Sequence, residues 1–478
     1  MQSLAVVVLA AGQGKRMKSG KPKVLHEVAG RPLLSFPLDL GRRLKCRRTV
    51  VVVGHCKEQV MAAATGLPGG ENVEFAFQDE QRGTGHAVLQ ALPLLNGVKG
   101  PVLILSGDVP LLEKKSISAL VRAYHRAGGP VAFLSFLPGD PSGYGRVIRS
   151  GRDVVAIRES RDCSREEKKI AEVNAGIYLI DAAFLRRAVK GIRSNNDQGE
   201  LYLTDLVEMA AGKGKKTAVV EAGEQEVSGV NDRIDLSKIE SIIYAKINES
   251  LMKAGVTIHD PMSVRVDMGI AIGKDTTIHP GAQIRGSSRI AQGCIIETGA
   301  LVVDSIISKG AAIRAYSVLE KASVGENAQV GPMGRLRPGA VLEKDSKVGN
   351  FVELKNTVLG EGSKANHLAY LGDGEIGKGV NVGAGTIFCN YDGFMKHKTV
   401  LCDGVFIGSD SQLVAPVTVG EGAYVASGST VTRDVPPDAL AIARAKQLNK
   451  KRLAAMLRKT LRARKKKMLE KKSAETEK

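Results

Sequence analysis

The sequence predicts a chain built in series: a Rossmann-like α/β sheet domain, one linking helix, and a solenoid of six-residue repeats. Three observations carry this. From about Asp260 to Arg433 an apolar or small residue recurs at nearly every sixth position, a period that fits neither a helix (about 3.6) nor one long strand (about 2). In the first 230 residues, short β-branched runs alternate with helical patterns. Between them, residues 233–254 keep helical periodicity without Gly or Pro.

Taken in order, Ala5–Ala10, Thr49–Val53, Val73–Phe77, Val102–Leu105 and Val131–Phe136 read as strands, with Leu33–Leu44 and Gly85–Leu95 as helices between them. Strands alternating with helices predict a mostly parallel sheet with ligands at the carboxyl ends of its strands. Residues 233–254 form a rigid arm that Gly255 can end. Three hexad registers follow: Ile272, Ile278, Ile284, Ile290, Ile296, Val302; then Val318, Val324, Val330, Leu336, Leu342, Val348, Leu354; then Ile407, Leu413, Val419, Val425, Val431. Each hexad makes a short strand and a turn, and three close a coil around a narrow apolar core. Known hexapeptide solenoids are left-handed parallel β-helices, many of them trimeric acyltransferases. The predicted boundaries are 1–232, 233–254, 255–447 and a basic tail, 448–478.

Bulk composition narrows the classes. The 478 residues are 43% hydrophobic and 25% charged, a globular balance too long for one core. Trp is absent and aromatics make up 4%, which disfavours stacking platforms for bases. The six cysteines form no Cys-x-x-Cys pair or zinc spacing, so they predict free thiols in a reducing cytoplasm. The N-terminal apolar run reads as a buried strand rather than a signal peptide, and no apolar stretch is long enough to span a bilayer. Net charge is +19, and residues 446–478 hold 14 Lys and Arg against 3 acids. That tail reads either as a solvated, partly helical extension or as a weak, non-specific polyanion binder.

The first strand empties into Leu9-Ala10-Ala11-Gly12-Gln13-Gly14-Lys15-Arg16-Met17. Small residues let a backbone approach closely, its N–H groups can cradle phosphates, and Arg16 adds a forked donor. The loop matches neither the dinucleotide fingerprint nor the P-loop spacing. It is followed by Lys21-Pro22-Lys23-Val24-Leu25, Gln78, Gly83-Thr84-Gly85-His86-Ala87 and Ser106-Gly107-Asp108-Val109-Pro110. In that order the set resembles the sugar-nucleotidyltransferase (nucleotide-sugar pyrophosphorylase) family. The resemblance implies that a sugar 1-phosphate oxygen attacks the α-phosphorus of a nucleoside triphosphate. Catalysis is then positioning plus charge neutralisation. Leu9, Ala10 and Gly12 would line the nucleotide cradle, Arg16 and Lys23 would offset phosphate charge, and Asp108 with Asn231 would hold Mg²⁺. His86 reads as a helix-start residue rather than a base.

With the solenoid included, residues 4–446 resemble the bacterial bifunctional N-acetylglucosamine-1-phosphate uridylyltransferase/glucosamine-1-phosphate N-acetyltransferase enzymes. By that resemblance Gln78, Gly83 and Thr84 read uracil, while Gly143, Glu159, Asn174 and Asn231 hold the N-acetyl sugar. Two departures stand out: Lys15 where Thr is usual, and Ser106 where Tyr is common. Neither removes a charge that the chemistry needs.

The hexad register breaks near Asn366–Gly374 and near Phe388–Asp403, and loops leaving a solenoid carry function. Arg335–Ala340, Gly349–Lys355, His367–Asp373, Asn381–Thr386 and Cys389–Gly393 all match the acetyltransferase half of those enzymes. The implied reaction is attack of a glucosamine amine on acetyl-CoA. A neutral amine needs a base that titrates near neutrality, and His367 is of that type. Arg337 and Lys355 would meet the substrate phosphate. Tyr370, Asn381, Asn390 and Tyr391 would hold the sugar, and Glu353 would orient His367. Ala384, Ser409, Ser427 and Arg444 would line the CoA groove, with Arg444 on a CoA phosphate. Seam sites of this kind imply a homotrimer. The substrates implied are UTP, glucosamine 1-phosphate, N-acetylglucosamine 1-phosphate and acetyl-CoA. Two other readings compete: a monofunctional nucleotidyltransferase whose solenoid only assembles the oligomer, and a non-enzymatic scaffold whose tail binds nucleic acid. Intact Arg337, Lys355, His367, Tyr370 and Asn381 weigh against the first, and intact Arg16, Lys23, Asp108 and Asn231 against the second.

Overall fold

The computed structural model describes residues 4–194 and 196–476; positions 477 and 478 of the predicted basic tail lie outside them. The chain forms two compact units, Met1–Glu320 and Lys321–Lys478.

The first unit is built on a nine-stranded sheet. Its strands are β1 (Ala5–Leu9), β2 (Arg48–Val53), β3 (Val73–Phe77), β4 (Pro101–Ser106), β5 (Val131–Phe136), β6 (Arg146–Ser150), β7 (Asp153–Arg158), β8 (Val173–Asp181) and β9 (Thr217–Glu221). The spatial order is β9-β5-β8-β4-β1-β2-β3, with β6 paired to β8 and β7 to β6. Strands β4, β1, β2 and β3 run parallel, whereas β8 is antiparallel to both β4 and β5. Ala5 and Val7 of β1 enter one core cluster, Val6 and Val8 the other. Burial on both faces is why this strand is an unbroken apolar run.

The five predicted strands are present, and β6 to β9 were missed. Strand β8 carries Asn174 and Gly176, both weak strand formers, and its register to β5 slips between Asn174 and Tyr178. The predicted helix Gly85–Leu95 is an α-helix only over Thr84–Ala91, and continues as a 3₁₀ turn, Leu92–Leu95, that contains Pro93. Proline removes the N–H that would extend the helix.

The linking helix runs Arg233–Lys253. Asp232 caps it, accepting from the N–H groups of Ile234 and Asp235, and Gly255 beyond its end has φ +92°. It is packed along its length. Ile239, Ile243 and Tyr244 bury against Met17, Val28, Leu33 and Val230 of the sheet domain. Further on, Tyr244 donates to Asp267 at 3.1 Å, and buried Asn248 donates to the carbonyls of Pro261 and Val264. The helix therefore grips sheet domain and first coils together, which accounts for a compact unit that reaches Glu320.

In those coils short strands stack in parallel; Thr257–Ile258, Thr277–Ile278, Ile295–Ile296 and Ala312–Ile313 form one face. Ile278 to Val302 of the first register are buried, while Ile272 is half-buried. Val318 does not belong to the second register: Leu319 takes the core position, because spacings near there include a five-residue step. From Val324 to Leu354, and from Ile407 to Val431, the registers are buried as predicted.

The second unit continues as a parallel β-helix. Gln329–Val330, Lys347–Asn350, Lys364–His367, Asn381–Val382, Phe406–Ile407, Tyr424–Val425 and Leu440–Ala441 make one face, so the coil extends past Arg433. One predicted break does not leave the stack: Lys364–His367, Tyr370–Gly372 and Gly374–Ile376 all pair in register. The other does, as residues 390–398 loop out between Ile387–Cys389 and Thr399–Leu401. The tail forms a helix, Leu453–Thr476.

Candidate active sites

The first site lies at the carboxyl ends of β1 and β4. A cleft of about 320 Å³ there is lined by Leu9, Ala10, Gly12, Lys23, Gln78, Gly83, Thr84, Ser106 and Asp108, with Gln81 and Glu200. Gly14 takes φ +60°, and a Cβ there would lie 2.6 Å from the Lys23 side chain, so the loop and Lys23 can approach this closely only without one. Lys23 Nζ pairs with Asp108 Oδ2. Arg16 Nη2 donates to Asn231 Oδ1 at 2.8 Å. The Val230 N–H bonds the Asp108 carbonyl, which sets the segment carrying Asn231 beside Asp108.

Gln78 is buried, and its amide donates to the Gly83 carbonyl at 3.0 Å and lies 3.2 Å from His86 Nδ1. His86 in turn meets Gln90 at 2.9 Å. His86 thus fixes the orientation of Gln78, a supporting role that the sequence did not reveal. A second cavity of about 690 Å³ is lined by Arg16, Thr84, Gly143, Glu159, Glu200 and Tyr202 among others, and shares Thr84 and Glu200 with the first. Burial pushes the Glu159 carboxyl up, against a Thr204 hydroxyl that donates to it at 3.2 Å. Asn174 donates to the Tyr178 hydroxyl at 2.5 Å, and its N–H bonds the Gly145 carbonyl, which ties it to the Gly143 loop.

Among the described residues no group of three or more His, Cys, Asp or Glu could hold a metal. Asp108 and Asn231 offer one carboxylate and one amide oxygen. This fits a hard cation that takes its other ligands from water and substrate phosphates.

In the second unit, Asp373 is the centre of a polar cluster. It accepts from Asn356 at 2.9 Å and Asn390 at 2.6 Å, and Lys355 lies 3.8 Å away. Asn390 also reaches the Tyr370 hydroxyl at 3.5 Å. Burial works to raise Asp373, but the two amides and the Lys355 and Lys396 ammoniums outweigh it and hold the carboxyl below its usual range. Lys396 from the looped-out segment lies beside Lys355, and with burial it holds Lys355 below the ordinary lysine range. Two adjacent ammoniums beside one carboxylate leave positive charge for a phosphate dianion. Tyr391 is exposed, and its hydroxyl donates to the Gly393 carbonyl.

Glu353 does not orient His367. It forms an ion pair with Arg337 at 2.9 Å, and its strand partner is Tyr370. The residue that meets His367 is Asn350, its register partner one coil back, with Oδ1 2.8 Å from Nδ1. An amide oxygen only accepts, so Nδ1 is the donor, and in the neutral ring the lone pair sits on Nε2. Gly349 makes this corner possible: a Cβ there would lie 1.9 Å from the Asn366 carbonyl.

The strand register places His367, Ala384, Ser409 and Ser427 at one corner on successive coils. The Asp410 N–H bonds Ala384 O, the Gly428 N–H bonds Ser409 O, and Gly428 lies against the Arg444 side chain. Coils are about 4.8 Å apart, so this column spans roughly 15 Å from His367 to Ser427. An extended ligand could lie along it, with its reactive end at the imidazole. Asn381 stands just before that corner, between Lys364 and Phe406. Lys396 and Asn350 went unread in the sequence. The run Lys396-His397-Lys398 inside the second register break was the available signal for the first; for Asn350 only the coil stacking supplies one.

Residues 6–168 match the family described as the MobA-like NTP transferase domain, residues 266–359 the GMPPB C-terminal domain, and residues 398–433 the bacterial transferase hexapeptide (six repeats). Across nearly the whole chain there are closer likenesses. A protein named "Bifunctional protein GlmU" from Sorangium cellulosum is 49% identical over 460 residues, covering 95% of this chain and 97% of its own. Proteins of that name from Geotalea uraniireducens and Geobacter sulfurreducens are each 46% identical, covering 94% of this chain and 98% of their own.

Proposed function

The chain belongs to the family of bifunctional GlmU proteins, and on that premise we propose how its two halves divide the work. It acetylates glucosamine 1-phosphate from acetyl-CoA, then joins the product to the uridylyl group of UTP. Pyrophosphate leaves, and the product is UDP-N-acetylglucosamine, a precursor for peptidoglycan. The sheet domain is a nucleotidyltransferase, and the coils form a left-handed parallel β-helix of hexapeptide repeats.

For uridylyl transfer, the cleft at Leu9, Ala10 and Gly12 takes the nucleotide, with Gln78, Gly83 and Thr84 on uracil. Gly143, Glu159 and Asn174 take the acetamido sugar. Arg16 and Lys23 carry charges that now rest on Asn231 and Asp108. When UTP arrives they turn to its phosphates, which frees both oxygens. A divalent cation, Mg²⁺ in our reading, would be held by Asp108 and Asn231 and would supply charge neutralisation at the α-phosphate. The sugar phosphate oxygen then attacks in line.

For acetyl transfer, Arg337, Lys355 and Lys396 meet the sugar phosphate, and Tyr370, Asn381, Asn390 and Tyr391 hold the ring. Acetyl-CoA lies along Ala384, Ser409, Ser427 and Arg444. The amine attacks the thioester carbonyl, His367 Nε2 takes the amine proton, and the CoA thiolate leaves. As imidazolium forms, Asn350 Oδ1 stabilises its positive ring.

One observation carries the two-site reading. Each named residue set falls within one compact unit: Arg16 to Asn231 in the first, Arg337 to Arg444 in the second. We assign functional segments 1–232, 233–254, 255–447 and 448–478 from the sequence pattern; the compact units divide elsewhere, after Glu320, because the linking helix packs on the first coils. Homotrimer assembly is supported by Met333, Phe351 and Leu368, exposed apolar residues on three successive coils with φ of +53°, +57° and +48°, Leu368 directly following His367. Bulky side chains held in the left-handed region cost on the order of 1 kcal/mol each, which a subunit interface would offset. The cysteines are free thiols, which suits the cytoplasm. Among the described residues no helix is long and apolar enough to cross a membrane. Incubation with glucosamine 1-phosphate, acetyl-CoA, UTP and Mg²⁺, read by mass, tests the reading. UDP-N-acetylglucosamine is the expected product. Failure to acetylate would leave a monofunctional nucleotidyltransferase, and sedimentation as a monomer would refute the trimer.

A further inference from the structure

The helix Leu453–Thr476 takes no part in either site, yet its first three turns carry two chemically distinct faces. Leu453, Met456, Leu457 and Leu461 fall within about 140° of its circumference. Arg458, Lys459, Arg462, Lys465 and Lys466 occupy the opposite side. Beyond Leu461 the separation ends: Arg464 and Lys467 fall on the apolar side, where long stems can bend their charges outward, and Leu469 falls on the cationic side. Every described side chain from 454 to 470 is exposed, Met456 and Leu461 by about 60%. Residues 442–452 separate the helix from the last coil strand, Leu440–Ala441, and can reach about 35–40 Å.

From this we propose that the helix is a surface-binding element for anionic phospholipid bilayers, lying in the plane of the headgroups. Charge and apolar pattern together select this occupant. A phosphate backbone alone would engage the lysines and arginines and leave the leucine stripe in water. A second copy of the helix would cover the leucines but would bring two strongly cationic helices together, with Glu470 the sole acid among residues 453–470. An anionic bilayer satisfies both faces: acyl chains take Leu453, Leu457 and Leu461, and headgroups take the flanking cations. At 24 residues the helix is about 36 Å long, but its charge density keeps it at the surface and out of the bilayer core.

The test is co-sedimentation of the full chain with phosphatidylcholine vesicles, with or without one-third phosphatidylglycerol, alongside retention on duplex DNA. Of the two vesicle types we expect binding to the anionic one only, weakening several-fold as salt rises from about 50 to about 300 mM. Leu457→Ser with Leu461→Ser keeps every charge and should lower vesicle binding roughly tenfold or more. DNA retention and both transfer activities should stay within about twofold. Wild-type vesicle binding by that double variant would overturn the proposal. So would a full chain that ignores anionic vesicles while holding DNA, which would make the partner a nucleic acid.

Discussion

Replacing Asn350 with alanine tests the acetyltransfer geometry more sharply than deleting His367 itself. Asn350 Oδ1 lies 2.8 Å from His367 Nδ1. With the imidazole neutral this is a neutral hydrogen bond, worth about 1 kcal/mol net. When Nε2 takes the amine proton the ring becomes cationic, and the same bond becomes charge-assisted, worth about 2–3 kcal/mol. Only the increment of about 1–2 kcal/mol accelerates the reaction, because the ground-state part lowers both levels equally. Asn350→Ala should therefore lower kcat for acetyl transfer about 5–30-fold with little change in KM. His367→Ala should cost about 10²–10⁴-fold. If Asn350 acts only through the imidazole, the double variant should be no slower than His367→Ala alone. Thiol release from acetyl-CoA measures all three, with pyrophosphate release from UTP as the internal control. Full turnover by Asn350→Ala, or additive losses in the double variant, would refute the reasoning.

Asp108→Ala should reduce uridylyl transfer by about a thousandfold, equivalent to about 4 kcal/mol of lost charge neutralisation, and leave acetyl transfer intact; near-normal pyrophosphate release would remove Asp108 from the site. Lys396→Ala should raise KM for glucosamine 1-phosphate about tenfold while KM for acetyl-CoA holds, and should lift Lys355 towards its usual range by removing the neighbouring ammonium. Burial first, then Glu208, push the Asp205 carboxyl up to about 6, although its place in the first turn of helix Asp205–Ala211 favours the charged form. The native state therefore binds that proton more tightly than the unfolded chain, whose value is about 3.9, and stability falls as pH rises between the two. Asp205→Asn should stabilise the protein at pH 7.5 by on the order of 1 kcal/mol after allowing for solvent screening, and the gain should vanish near pH 4; a gain independent of pH would argue against this cause.

The architecture is legible in the amino-acid order wherever a short-range pattern carries the information. A period of six has one physical solution, so the coils and their core registers could be read directly, and double-sided burial made β1, β2 and β4 legible as unbroken apolar runs. Ordered motifs likewise marked Lys23, Asp108, Arg337 and His367 as candidates. What depends on stacking did not show. Val318 was read in the core where Leu319 lies, because a five-residue step keeps almost the same local pattern. Glu353 looked like the partner of His367 because it is near in sequence on a matching motif. One coil earlier in the stack, Asn350 stands opposite the imidazole, and Glu353 faces Tyr370 and pairs with Arg337. Lys396 reaches Lys355 only because residues 390–398 loop out of the stack. In a solenoid the contacts that matter run along the axis, between residues about 17 apart in this region. Their alignment depends on every insertion in between, so only the tertiary structure decides which side chains meet.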